Sequence, residues 1–216
     1  MTRRRPQLLA AAALCLWSAS AALAHDVSPS TGPALLTAWT PPSERAPLKN
    51  VDIALRDHDG RARTLAALLD RPVLLTFFYT RCQNAAKCSM TVSQLAVLQR
   101  QLTRARVHDK VRLIAITFEP QFDSPERITR FATARGLQLG ESALAVQLDA
   151  DRHPQLVKEL EIPVSYNAGW VGTHGVEASL LDAGGRVVRK YTTLLWDNDQ
   201  VLRDLERVLG ERPASR

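Results

Sequence analysis

The sequence predicts an α/β domain: a mixed β-sheet flanked by helices, with a β-hairpin extension at its N-terminal side. Three observations lead there. A continuous apolar run at Pro72–Tyr79 and a mostly apolar stretch at Val111–Thr117 read as strands buried on both faces. Segments of helical period follow each run, so the strands they connect are parallel. Period-2 alternation around turn residues marks a hairpin at each end of the domain.

Taken in order, Val51, Ile53 and Leu55 alternate with polar residues, Asp57-His58-Asp59-Gly60 turns, and Arg61–Leu65 returns. Thr64–Leu69 gives a short helical turn before the first apolar strand. Val92, Leu95, Ala96 and Leu102 then share one helical face. After the second apolar strand, Ser124 is an N-cap with Pro125 at the first helical position, and that helix runs to about Arg135 and stops at Gly136. Leu144–Leu148 is a short strand and Pro154–Leu160 a short helix. Glu177–Asp182 and Arg186–Tyr191 flank Ala183-Gly184-Gly185 as an antiparallel hairpin. Asp197 or Asn198 caps a last helix that turns Val201, Leu205, Val208 and Leu209 inward and ends at Gly210. Hairpin, then β-α-β-α, then β-β-α is the thioredoxin-like arrangement.

The chain opens on a different composition. Arg3-Arg4-Arg5, the apolar stretch Leu8–Trp17 and Ala22-Leu23-Ala24 have the three parts of a cleavable export signal. We therefore expect a signal peptide over 1–24, a flexible Pro/Ser/Thr-rich linker over 25–49, the domain over 50–210 and a tail over 211–216. The expected location is the periplasm, with membrane attachment if the leader stays uncleaved. The 216 residues hold 28 Lys and Arg against 22 acidic residues, for +6. The leader carries three of those arginines and no acid, so the mature chain has 25 basic residues and a charge of +3. The remaining arginines are scattered without interleaved aromatics, which excludes a nucleic-acid partner. Of three cysteines, Cys15 leaves with the leader, and Cys82 and Cys88 remain in an oxidising compartment.

That pair carries the chemistry. It lies where the first apolar strand runs into a helix, in Tyr79-Thr80-Arg81-Cys82-Gln83-Asn84-Ala85-Ala86-Lys87-Cys88-Ser89. A helix N-terminus and nearby cations favour the thiolate, and Arg81 and Lys87 are expected to add positive charge beside the two sulfurs. Three uses are open: a structural disulfide, reversible dithiol exchange, or metal ligation. His174, in Trp170-Val171-Gly172-Thr173-His174-Gly175, is expected in a loop that packs against the cysteine loop. From there it completes a two-thiolate, one-imidazole set suited to Cu(I), and less specifically to Zn(II) or Cu(II). Glu119 and Asp123 fall at the end of the second apolar strand, where open α/β sheets place their sites, although Asp123 there can simply help start the next helix. His58, His108 and His153 are expected to be solvated. His25 would pair a free amine with its imidazole after cleavage but has no scaffold around it.

Together these residues resemble the Sco/SenC family of copper-insertion factors for cytochrome c oxidase, over about Leu48–Leu209. The likeness rests on Tyr79-Thr80-Arg81-Cys82, on the second cysteine near the following helix, on the acidic segment Glu119–Glu126, and on His174 ahead of Leu180-Leu181-Asp182. It implies a copper site made of Cys82, Cys88 and His174, and a copper-acceptor partner such as an oxidase subunit. Two features depart from the family pattern. Five residues, not three, separate the cysteines, with no proline among them, and Glu119 replaces the usual Asp. The alternatives are a thiol-disulfide oxidoreductase in which Cys82 and Cys88 form the redox pair, and a non-catalytic module stapled by a disulfide between them.

Overall fold

A computed structural model describes residues 36–82, 84–193 and 195–211. The expected leader, His25, Cys15 and most of the expected tail lie outside these residues. The elements run β1 (Ala54–Asp57), β2 (Ala62–Thr64), β3 (Val73–Phe78), α1 (Met90–Arg104), β4 (Arg112–Thr117), α2 (Pro125–Thr133), β5 (Ala143–Leu148), α3 (His153–Glu159), β6 (Val164–Asn167), β7 (Trp170–His174), β8 (Ala178–Leu181), β9 (Val187–Tyr191) and α4 (Asn198–Gly210). The main sheet has the order β2-β1-β5-β4-β3-β8-β9. It is parallel from β3 through β4 to β5 and antiparallel at both flanks. All six residues of β3 and all six of β4 are buried, as strands covered on both faces require, and the one charged residue among them, Arg112, donates to the Leu68 and Glu141 carbonyls and to Asp70. The fold is thioredoxin-like.

The first hairpin is sewn to the sheet rather than appended to it, because β1 pairs antiparallel with β5 through Leu55 and Leu148. Helix α1 packs against α4, β3 and β4, and α2 packs against β5. Ser124 and Pro125 stand at the start of α2, and Asp197 caps α4 by accepting from the Asp199 N–H.

Two expectations need correction. The later part of the expected linker is docked. Leu36 pairs with Tyr191 and Pro47 with Arg186. Arg45 is buried, gripping Glu211 at 2.6 and 2.8 Å and Asp182 at 3.3 Å, while the Trp39 ring faces Arg207 at 4.0 Å. Pro- and Ser-rich composition does not reveal this, since the partners lie more than a hundred residues away. The second correction is the hairpin β6–β7, a two-stranded sheet of its own that carries His174 as its last residue. Expected as loop, it turns at Ala168 and Gly169, whose φ values of +49° and +80° suit the tight turn between short strands.

Candidate metal centre

Three segments converge at the ends of β3, β4 and the β6–β7 hairpin. The backbone leaves β3 at Phe78 and passes through Tyr79-Thr80-Arg81 to Cys82, which is half-buried. It then forms a π-helical turn over Ala85–Ser89, which leads directly into α1 and holds Cys88 fully buried. Single π turns of this kind recur at functional sites because they re-aim one side chain on an otherwise regular helix. His174 approaches from β7, where it pairs with Val164. The two sulfurs and a ring nitrogen of His174 all lie within 4.8 Å of one another, and Cys88 Sγ is 3.9 Å from His174 Nε2. Both cysteines are free thiols.

The imidazole is oriented for ligation. Its Nδ1 donates to the Gly175 carbonyl at 2.8 Å, so the Nε2 lone pair faces the sulfurs. Tyr79 meets the ring edge-on at 5.4 Å, and Phe118 lies at 5.3 Å. Burial holds His174 below the ordinary histidine value, against the hydrogen bond to Gly175, and the Lys87 charge pushes the same way as burial. The ring is therefore neutral and ready to donate electrons at neutral pH. Gly175 makes this approach possible. A Cβ there would stand 2.7 Å from Pro163 Cγ, and its N–H donates to the Pro163 carbonyl at 2.6 Å.

The two thiols differ. Burial acts to raise Cys82, but hydrogen bonds from the backbone and thiol of Cys88, the Tyr79 hydroxyl and the backbone at Asn84 outweigh it, so its value falls. Burial pushes Cys88 far up, and the neighbouring Cys82 charge adds to that. A bound cation would draw both into the thiolate form.

Arg81 does not act beside Cys82 as expected. Its guanidinium forms a bidentate pair with Glu119, both contacts at 2.8 Å, and is sandwiched between the Phe122 and Trp170 rings at 3.8 and 3.6 Å. Glu119 also accepts the Val171 N–H at 3.1 Å. It thus ties the cysteine loop and the His174 hairpin to the end of β4. Asp123, fully buried, is a brace rather than a helix starter. Its carboxylate accepts the Thr80 N–H at 3.0 Å and the hydroxyls of Thr80 and Thr117. Neither acid is among the three potential ligands; both hold the segments that carry them.

The other histidines divide. His108 is exposed, as expected. His58 is not solvated, with a side chain only 8% exposed. His153 is 2% exposed, edge-on to Phe77 at 6.0 Å, and burial drops it to about 4. Its place at the start of α3 behind Phe118 could not be read from a residue that simply precedes a helix. The hairpin that presents His174 did have a signal, Asn167-Ala168-Gly169, a turn triplet between two short alternating segments.

Fold and site together define a thioredoxin-like protein with a Cys–Cys–His centre at the C-terminal edge of its parallel strands. The SCO1/SenC family model matches residues 43–210, and the chain belongs to this family. Among solved structures, a SCO1/SenC family lipoprotein from Bacillus anthracis is 21% identical, with a TM-score of 0.64 over 76% of this chain and 98% of that one. ScoI from Bradyrhizobium japonicum with copper bound is 21% identical, with a TM-score of 0.59 over 76% and 98%. Yeast Sco1 with copper bound is 20% identical, with a TM-score of 0.59 over 79% and 91%. At these identities the likeness shows the shared fold. A search of curated proteins found no match.

Proposed function

We propose that the chain is a copper-binding protein of the Sco type, exported to the periplasm by a leader over residues 1–24. It takes up copper on Cys82, Cys88 and His174 and passes it to an acceptor protein, such as a respiratory oxidase subunit. The observation that carries this is the convergence of two thiols and one oriented imidazole within 4.8 Å. Soft sulfurs with one imidazole suit Cu(I). Two structures of the same fold, from Bradyrhizobium japonicum and yeast, hold copper, which supports the choice of metal. The five-residue spacing between the cysteines is accommodated by the π turn, which brings Cys88 back to the site. On binding, the thiol protons would leave to solvent, and the two sulfurs and Nε2 would supply the lone pairs that hold the ion. Glu119 and Asp123 keep the three segments in place.

The test is a Cu(I) titration of reduced residues 25–216 against a competing chelator, with Cys82→Ser, Cys88→Ser and His174→Ala alongside. We expect one copper per chain and a loss of about hundredfold or more in each variant, beyond the 10–100-fold typical of losing a group that only supports a ligand. Binding indifferent to His174 would sink this reading.

One observation favours a second role. Cys82 is half-exposed with a lowered value, while Cys88 is buried with a raised one. That asymmetry suits an attacking and a resolving thiol in dithiol exchange with a partner cysteine. A reduction potential below about −300 mV, typical of inert structural disulfides, would count against it.

A further inference from the structure

Arg135 is a charge that the fold alone does not explain. It stands just beyond α2, where the sequence suggests only a basic residue near a helix C-terminus. In the structure its guanidinium lies on the Phe131 ring at 3.3 Å. One Nη donates to the Phe131 carbonyl at 2.8 Å and the other to Ser89 Oγ at 2.7 Å. Phe131 in turn stacks on Phe78 at 5.2 Å, at the end of β3, so the cation is pinned above the turn that carries Cys88. Its Nε is buried without a hydrogen-bond partner. Among the described residues no carboxylate pairs with it. Partial burial of a cation with no ion pair is costly, and buried charges are usually offset by an opposite charge or by hydrogen bonds. Burial lowers the Arg135 value, and the charges that oppose this are those of Cys88 and Cys82.

We propose that Arg135 is the counter-charge of the metal centre and biases it toward a monovalent ion. The inference rests on the copper reading above. When both thiols release their protons to solvent, the Cys82–Cys88–His174 set carries −2. A monovalent ion leaves the occupied site at −1, and a divalent ion leaves it neutral. The single positive charge of Arg135 therefore completes neutrality around Cu(I) but has no net charge to oppose around a divalent ion. The guanidinium is held 2.7 Å from the hydroxyl of Ser89, the residue next to Cys88, and is partly buried, where a unit charge acts more strongly than in water and can decide between ions of different valence. The hydrogen bond to Ser89, the residue after Cys88, fixes the guanidinium relative to the sulfur.

The experiment compares the reduced parent protein with Arg135→Gln and Arg135→Lys. Affinities for Cu(I) and for Zn(II) are each measured by chelator competition, with melting temperature as a check on folding. We expect Arg135→Gln to lose about tenfold or more in Cu(I) affinity while Zn(II) affinity stays within about threefold. Arg135→Lys, which keeps the charge, should retain most of the Cu(I) affinity. Unchanged Cu(I) binding in Arg135→Gln would overturn this inference alone, as would an equal loss for both metals, which would mark a purely structural role. A parent that binds no Cu(I) would overturn the copper reading and this inference with it.

Discussion

At the scale of single residues, the site is defined less by its three candidate ligands than by the groups that aim them. Cys82, Cys88 and His174 are recognisable in the sequence as chemistry-bearing types. Their supports are not, because Asp123 and Thr80 lie 43 residues apart and Arg81 and Glu119 lie 38 apart. Asp123 shows what such a support is worth. Its carboxylate accepts one amide and two hydroxyls in a fully buried position. Asp123→Asn puts an N–H₂ against at least one of those donors and should cost about 1–3 kcal/mol. Urea denaturation measures that cost, and Cu(I) affinity should fall with it as Thr80 loosens. A variant as stable as the parent would show that the brace carries no strain. His153 makes a separate prediction. Its value falls to about 4 in the folded chain, against about 6.5 when unfolded. Between those limits the unfolded chain binds the extra proton, so stability declines as the pH falls from about 6.5 to about 4. The full loss is on the order of 3 kcal/mol. Melting temperatures of the metal-free protein across that range should fall less steeply for His153→Gln than for the parent.

At the scale of elements, the β6–β7 hairpin is a two-stranded sheet that brings His174 to Cys82 and Cys88. Small isolated hairpins are marginal by themselves. This one is held by Glu119 at Val171, by Trp170 over Arg81, and by the Tyr166 hydroxyl on the Phe118 carbonyl at 3.3 Å. Glu119→Ala should therefore weaken Cu(I) binding by about tenfold, as for other losses of a supporting group, while the two cysteines still react with alkylating reagents as in the parent. The comparison separates loss of the histidine arm from damage to the thiol pair. Gly175→Ala tests the same arm from its other end, since the new methyl meets Pro163 at 2.7 Å. Displacement of His174 should appear as a shifted ring resonance in the NMR spectrum of the metal-free protein. An unmoved resonance would show that Pro163 yields instead. The π turn is the matching device on the cysteine side, and the regular period of α1 gives no hint of it.

At the scale of the whole molecule, the ends of the domain are fastened to each other. Arg45, ahead of the first strand, binds Glu211 just past α4 and Asp182 after β8. The Trp39 ring lies among Arg45, Arg189 and Arg207. Arg45→Ala removes a buried, multiply bonded guanidinium and should lower stability by about 1–3 kcal/mol. Copper affinity should be unchanged, because this latch lies on elements that carry none of Cys82, Cys88 and His174. A change in affinity on that substitution would show that the two ends of the molecule are coupled.

What the sequence by itself determined was everything governed by local period and local punctuation. Apolar stretches marked β3 and β4, the Ser124-Pro125 pair the start of α2, and the Gly-rich turn the β8–β9 hairpin. The cysteine pair and His174 were legible for the same reason, as rare residue types at strand ends. Tertiary structure alone decided which charges pair, which histidines are buried and which cation reaches the turn that carries Cys88. Those outcomes depend on desolvation and on contacts between segments far apart in the chain. No window of neighbouring residues encodes that Arg81 turns to Glu119 while Arg135 stands over Ser89.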